Sequence, residues 1–206
     1  RPEEPAAPVA PRYKKKPYRG ISVVQIISSL VIIALLCVLY IVNALGEGLA
    51  TGLDSIFGLA KVFEIELGDS TYYDMLLSFS FGAGFSEAFS SDVLTSIYLL
   101  AIPVFSAVII ILSVVSAIVY LVKAAKGKSP RGFNGLALTV LILAILIIVC
   151  IFLLKPTFDL FDLAPSIALY AVAGIALFQI ILNYFAKKHA HVLDEAAFKR
   201  VYIINE

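Results

Sequence analysis

Four stretches of this chain, residues 21–45, 93–122, 136–154 and 167–185, contain no Asp, Glu, Lys or Arg. About 20 helical residues, rising 1.5 Å each, cross a hydrocarbon layer of about 30 Å. The pattern therefore predicts four transmembrane helices. Residues 93–122 would measure about 45 Å as a helix, so that span tilts or projects beyond the bilayer. Pro103 predicts a kink in it, because proline removes one helical hydrogen bond. Between the first two runs, Leu49, Leu53, Ile56, Ala60, Phe63 and Leu67 recur in steps of four and three. That spacing predicts an amphipathic helix over 49–67, ended by Gly68, Asp69 and Ser70. Beyond it, Gly82 and Gly84 break an aromatic, small-residue stretch into two apolar halves. The break fits a loop capping the bundle, or a re-entrant segment covered by protein or water.

The polar positions inside the runs are few. Residues 21–45 carry Ser22, Gln25, Ser28, Ser29 and Asn43, with Tyr40 placed for the outer aromatic belt. Ser106 and Ser113 lie near one stripe of the second span, and Ala168, Ala171 and Gly174 on one stripe of the fourth. Small residues let helices approach closely, so these five are candidate packing positions. Gln179 and Asn183 follow one turn apart. They read as interhelical hydrogen-bonding groups, worth about 0.6–2 kcal/mol each. The alternative is a polar pathway formed with Gly82 and Gly84. The third span has only Thr139 and Cys150 as mild polar points and is expected to face the most lipid.

Charge sets the expected orientation. Of 16 Lys and Arg residues, only Lys61 and Lys155 lie in the connections 46–92 and 155–166. The others flank the opposite ends of the runs, including Arg12, Lys14, Lys15, Lys16 and Arg19 ahead of the first. Positive residues stay on the cytoplasmic side. Both termini and the 123–135 connection are therefore expected in the cytoplasm, and the basic flank argues against a cleaved leader. The same five basic residues are candidates for contact with anionic headgroups. Residues 46–92 hold eight acidic residues and one lysine, a net charge of −7, and should face outward.

The expected architecture is an all-α integral membrane protein. A basic, proline-rich tail over 1–20 precedes a four-transmembrane-helix bundle over 21–186, with both termini cytoplasmic and an amphipathic helix in the first outer loop. A tail over 187–206 follows. At 61% hydrophobic and 15% charged, the 206-residue chain lacks the polar surface of a soluble domain.

No ionisable residue falls deep in any run, which disfavours proton-coupled transport and intramembrane hydrolysis. No phosphate-binding glycine loop or HExxH motif is present, and His189 and His191 are the only histidines. No catalytic, cofactor or metal residues are expected. Cys37 and Cys150 read as small apolar packing residues. The expected role is a non-enzymatic structural or accessory subunit of a complex in the cell membrane. The alternative is a channel or transporter component lined by neutral polar residues. Expected partners are the lipid bilayer and other membrane proteins or further copies of the chain, with no nucleic acid.

Overall fold

A computed structural model describes residues 13–15, 19–65, 67–74, 93–126, 134–157, 162–188 and 191–193. Gly82, Gly84, Arg12 and Lys16 lie outside the described residues. Four helices, α1 (Arg19–Val38), α3 (Val93–Ala125), α4 (Asn134–Leu154) and α5 (Ile167–Lys188), are long and apolar enough to cross a membrane. The chain is a multi-pass membrane protein by this measure. The helices pack as a ring in the order α1–α3–α4–α5.

Each helix buries one seam. The buried residues of α1 are Ser22, Gln25, Ser29, Ile32 and Leu36, with Ser28 beside them. Those of α3 include Leu99, Ile102, Ser106, Ile109, Ser113, Ser116 and Tyr120. In α4 they include Ala137, Val140, Ala144, Ile147, Ile151 and Leu154, and in α5 Leu169, Val172, Ala176, Gln179, Asn183 and Ala186. Steps of three and four alternate throughout. That mean period of 3.5 keeps a narrow seam facing inward along a whole helix, as in left-handed bundles. The other faces carry exposed Leu, Ile, Val and Phe, which is the surface lipid requires.

The first span differs from expectation. α1 stops at Val38, seven residues before the apolar run ends, and the chain continues as β2 (Tyr40–Ala44). β2 turns back into β3 (Glu47–Thr51) and also pairs with β4 (Ala164–Pro165), giving the order β3-β2-β4. The Ser166 N–H donates to the Ile41 carbonyl at 3.1 Å, and the Ser166 hydroxyl donates to the Tyr40 carbonyl. Ile41 and Val42 are buried strand residues. An apolar, β-branched run suits either state, and pairing with the α4–α5 connection selects the strand here. The hairpin turns on Leu45 and Gly46, both at positive φ (52° and 81°), the signature of a two-residue turn matched to strand twist.

The amphipathic helix exists but is shorter than expected. α2 spans Gly52–Val62. Thr51 caps its start by accepting the Asp54 N–H at 3.0 Å. At its end the Ile65 N–H donates to the Ala60 carbonyl and the Glu64 N–H to the Lys61 carbonyl, at 3.1 and 3.0 Å. This is a Schellman closure with Glu64, rather than glycine, in the left-handed position at φ 62°. A helical turn over residues 71–74 follows. Its first two N–H groups, of Thr71 and Tyr72, donate to the Asp54 carboxylate at 3.1 and 3.0 Å. Gly58 permits the contact: a Cβ there would lie 2.8 Å from Ser70 Oγ and 3.0 Å from the Tyr73 nitrogen.

α3 continues through Pro103. Proline has no N–H to offer the carbonyl four residues earlier, which is that of Leu99. The phenol of Tyr72 donates to that carbonyl at 2.6 Å. Tyr72 is fully buried, so the connection between α1 and α3 repairs the break that proline makes in the span. At the other end of the bundle, β1 (Tyr13–Lys15) pairs antiparallel with β5 (His191–Leu193), Lys14 opposite Val192. The bundle thus has a loop end, with the three-stranded sheet, and a tail end, with β1 and β5.

Candidate functional site

Thr95, Ser96 and Ser106 are buried toward the loop end of α3, but the polar side chains that bond one membrane helix to another collect in the tail-end half of the bundle. Gln25 on α1 donates through Nε2 to the backbone carbonyl of Gln179 on α5, at 3.0 Å. Gln179 returns the contact, donating through Nε2 to Ser28 Oγ at 2.8 Å and Ser29 Oγ at 3.1 Å. Both serine hydroxyls donate to the Gln25 carbonyl, at 3.0 and 2.9 Å. The contact of Ser29 Oγ with Ser116 Oγ at 3.3 Å brings in α3. One turn further toward the tail end, the Tyr120 phenol donates to Asn183 Oδ1 at 2.9 Å. Each of these residues is buried.

The physical reason is local. Gln25 and Ser29 sit four apart, as do Ser116 and Tyr120, and Gln179 and Asn183. Each pair stands on one face of its helix, and the ring packing turns the three faces together. Lipid offers no hydrogen bonds, so polar groups on helices seek each other. The cluster is neutral. Among the described residues the buried polar side chains are Ser, Thr, Gln and Asn, with no buried Asp, Glu, Lys, Arg or His.

Five buried side-chain atoms have no partner among the described residues: Ser22 Oγ, Gln25 Oε1, Ser106 Oγ, Ser113 Oγ and Asn183 Nδ2. Two of them, on Gln25 and Asn183, belong to the tail-end cluster, and Ser22 lies one turn from Gln25 on α1. Ser106 and Ser113 stand one heptad apart in the α3 seam.

The candidate positions from sequence fall as follows. Gln179 and Asn183 are buried and make interhelical bonds. Ser106 and Ser113 are buried in the α3 seam and Ala168 is buried on α5, whereas Ala171 is half-buried and Gly174 exposed, with open space where its Cβ would be. Successive steps of three turn 300°, so Gly174 lies about 120° around α5 from Ala168. The inward stripe of α5 runs instead through Leu169, Val172, Ala176 and Gln179. Lys14 and Lys15 lie on β1 and Arg19 opens α1. Cys37 and Cys150 are free thiols. Among the described residues no cluster of three His, Cys, Asp or Glu could hold a metal.

Sequence reasoning passed over two residues. Tyr120 was legible as the continuation of the Ser113–Ser116 seam. Tyr72 had a weaker signal: Pro103 leaves the Leu99 carbonyl free, but the sequence does not say which donor reaches it. No family model, curated protein or solved structure matches the chain.

Proposed function

We propose that this protein is a non-enzymatic tetraspan subunit, structural or accessory to a larger complex in the cell membrane, with both termini in the cytoplasm. The observation that carries the reading is the use made of the buried polar groups. Gln25, Gln179, Ser28, Ser29, Tyr120 and Asn183 bond helix to helix, and no buried Asp, Glu, Lys, Arg or His accompanies them among the described residues. A transport or hydrolytic site depends on such a side chain to move a proton or hold an ion. The orientation rests on the lysine and arginine distribution. Gly174 supports a partner in the membrane. It leaves α5 backbone bare beside the exposed Tyr170, Leu177 and Phe178, where a second helix approaches closely.

The test is purification in nanodiscs with measurement of stoichiometry and co-purifying subunits, together with ion and solute flux in liposomes. A defined complex without flux, weakened by Gly174→Leu, is the expected result. A monomer that conducts would sink the proposal. The alternative, a channel or transporter component with a neutral polar lining and an acidic outer loop, draws on the five unpartnered buried atoms. It predicts flux that bulky substitutions at Gln179 or Asn183 abolish.

A further inference from the structure

Ser22 Oγ, Gln25 Oε1 and Asn183 Nδ2 are buried without a partner among the described residues. Turning the amides over does not remove the deficit. Gln25 meets the Gln179 carbonyl at 3.0 Å, and a carbonyl accepts only a donor, so Nε2 faces it and Oε1 points elsewhere. Asn183 meets the Tyr120 phenol at 2.9 Å. A phenol can donate or accept, so flipping that amide changes which atom is paired and leaves the other alone.

The three residues fall within about one helical turn of one another. α1 and α5 are adjacent and antiparallel. Ser22 lies one turn tailward of Gln25 on α1, and Asn183 one turn tailward of Gln179 on α5. With Gln25 bonded to Gln179, the group spans about one helical turn, ~5–6 Å. It offers an acceptor, a donor and a hydroxyl. Hydrocarbon can satisfy none of them, and an unsatisfied polar group there costs several kcal/mol.

We infer that this site binds water: a molecule held between α1 and α5, donating to Gln25 Oε1, accepting from Asn183 Nδ2 and closing on Ser22 Oγ. A buried water makes about three hydrogen bonds, with two donors and two acceptors to dispose. A cation does not suit the site, because the Asn183 N–H groups point positive and no acidic side chain is buried among the described residues. The joint between the first and last spans then has two parts: a direct amide contact at Gln25–Gln179, and a hydrated contact beside it at the tail end.

The test uses the full chain, isotope-labelled, in nanodiscs of deuterated lipid. Cross-relaxation between water and the side-chain amide protons of Gln25 and Asn183 is measured by NMR. The expected result is a water cross-peak at both amides. Ser22→Val, which fills the space with a branched apolar group, should abolish it at Asn183 while the Gln25–Gln179 contact persists. Absence of the cross-peak in the folded wild-type protein overturns the inference. So does a cross-peak that survives Ser22→Val undiminished, or one to a protein donor in place of water. Because the wild-type measurement stands alone, a variant that fails to fold does not spare the proposal.

Discussion

The two halves of this bundle share one geometry and differ in what fills it. At the loop end the seams are mostly apolar, with Ile32, Leu36, Leu99, Ile102, Ile147, Ile151 and Leu169 beside the small Thr95, Ser96 and Ser106; at the tail end α1, α3 and α5 carry Ser22, Gln25, Ser29, Ser116, Tyr120, Gln179 and Asn183. The heptad period runs through both without interruption. Apolar side chains gain no hydrophobic free energy by leaving lipid for a neighbouring helix, so the loop half is held by close packing and by its cap of sheet and α2. The tail half is held by directional bonds. Those bonds also fix register: sliding α5 one heptad toward the loop end would take Gln179 away from Ser28 and Ser29 and set it against Ile32 and Leu36, whose side chains cannot accept its amide.

The largest effect should come from opening a void in the apolar half. Leu36→Ala removes a fully buried side chain and should cost about 2–3 kcal/mol, the lower part of the range for buried leucines because lipid supplies no transfer term and the void carries the loss, read as unfolding free energy in mixed detergent–SDS micelles. Gly52 sits against the Leu36 backbone, so α2 can relax only a little into the gap. A cost below about 1 kcal/mol would show that this half is loosely packed and would remove the contrast.

Tyr72→Phe tests how the cap joins the span. It leaves the Leu99 carbonyl without a donor and should cost about 1–3 kcal/mol. The informative measurement is the cycle with Pro103→Ala, which restores an N–H in reach of that carbonyl. In the alanine background the tyrosine substitution should lose most of its effect; an unchanged cost would mean that the phenol serves something other than the proline break. Burial, with smaller contributions from Cys150 and Asp54, pushes the Tyr72 phenol well above the usual tyrosine range. A group whose acid pKa is raised on folding stabilises below its unfolded pKa. Stability should therefore hold up to about pH 10 and fall above it, and Tyr72→Phe should flatten that fall.

In the polar half, Gln179→Leu removes two interhelical donations, to Ser28 and Ser29. At about 0.6 kcal/mol each on average, and up to ~1.7, the loss should be about 1–2 kcal/mol. The serines keep their bonds to the Gln25 carbonyl, which limits the damage. A second readout separates glue from register. Cysteine pairs placed across α1 and α5 should cross-link at one set of positions in the wild type and at several in Gln179→Leu. A single unchanged set would show that packing alone fixes the register.

The contrast between the halves also divides what the sequence made legible. The four spans followed from charge-free runs, because lipid tolerates little else, and each polar residue of the tail half was visible where it stood. Their meeting was not, since the choice of neighbouring helices is made by tertiary packing. The three-step stripe through Gly174 looked like a packing face but turns outward, while the alternating three-and-four spacing of Leu169, Val172, Ala176 and Gln179 marked the inward one. At the loop end, local rules were broken. The apolar run ending at Leu45 reads the same as helix or strand. Leu45 and Glu64 hold left-handed positions that glycine or asparagine usually announces, so neither the hairpin nor the early end of α2 was signalled.

That last irregularity gives the smallest predicted effect and the most local one. Leu45 is exposed and stands at φ 52° in the hairpin turn. A left-handed conformation costs an ordinary L-residue roughly 1–2 kcal/mol, and asparagine less, because its short amide bonds locally. Asn-Gly is also the favoured pair for this turn. Leu45→Asn should therefore stabilise the protein by about 0.5–1 kcal/mol, read by the same SDS titration. The gain should appear as slower amide exchange in β2 and β3, with the tail-half helices unaltered, because the hairpin stands at the opposite end of the bundle. If the substitution destabilises instead, the leucine side chain is making a contact that outweighs its backbone strain. The lipid surface is the contact to suspect, and repeating the measurement with lipids of different thickness would reveal it.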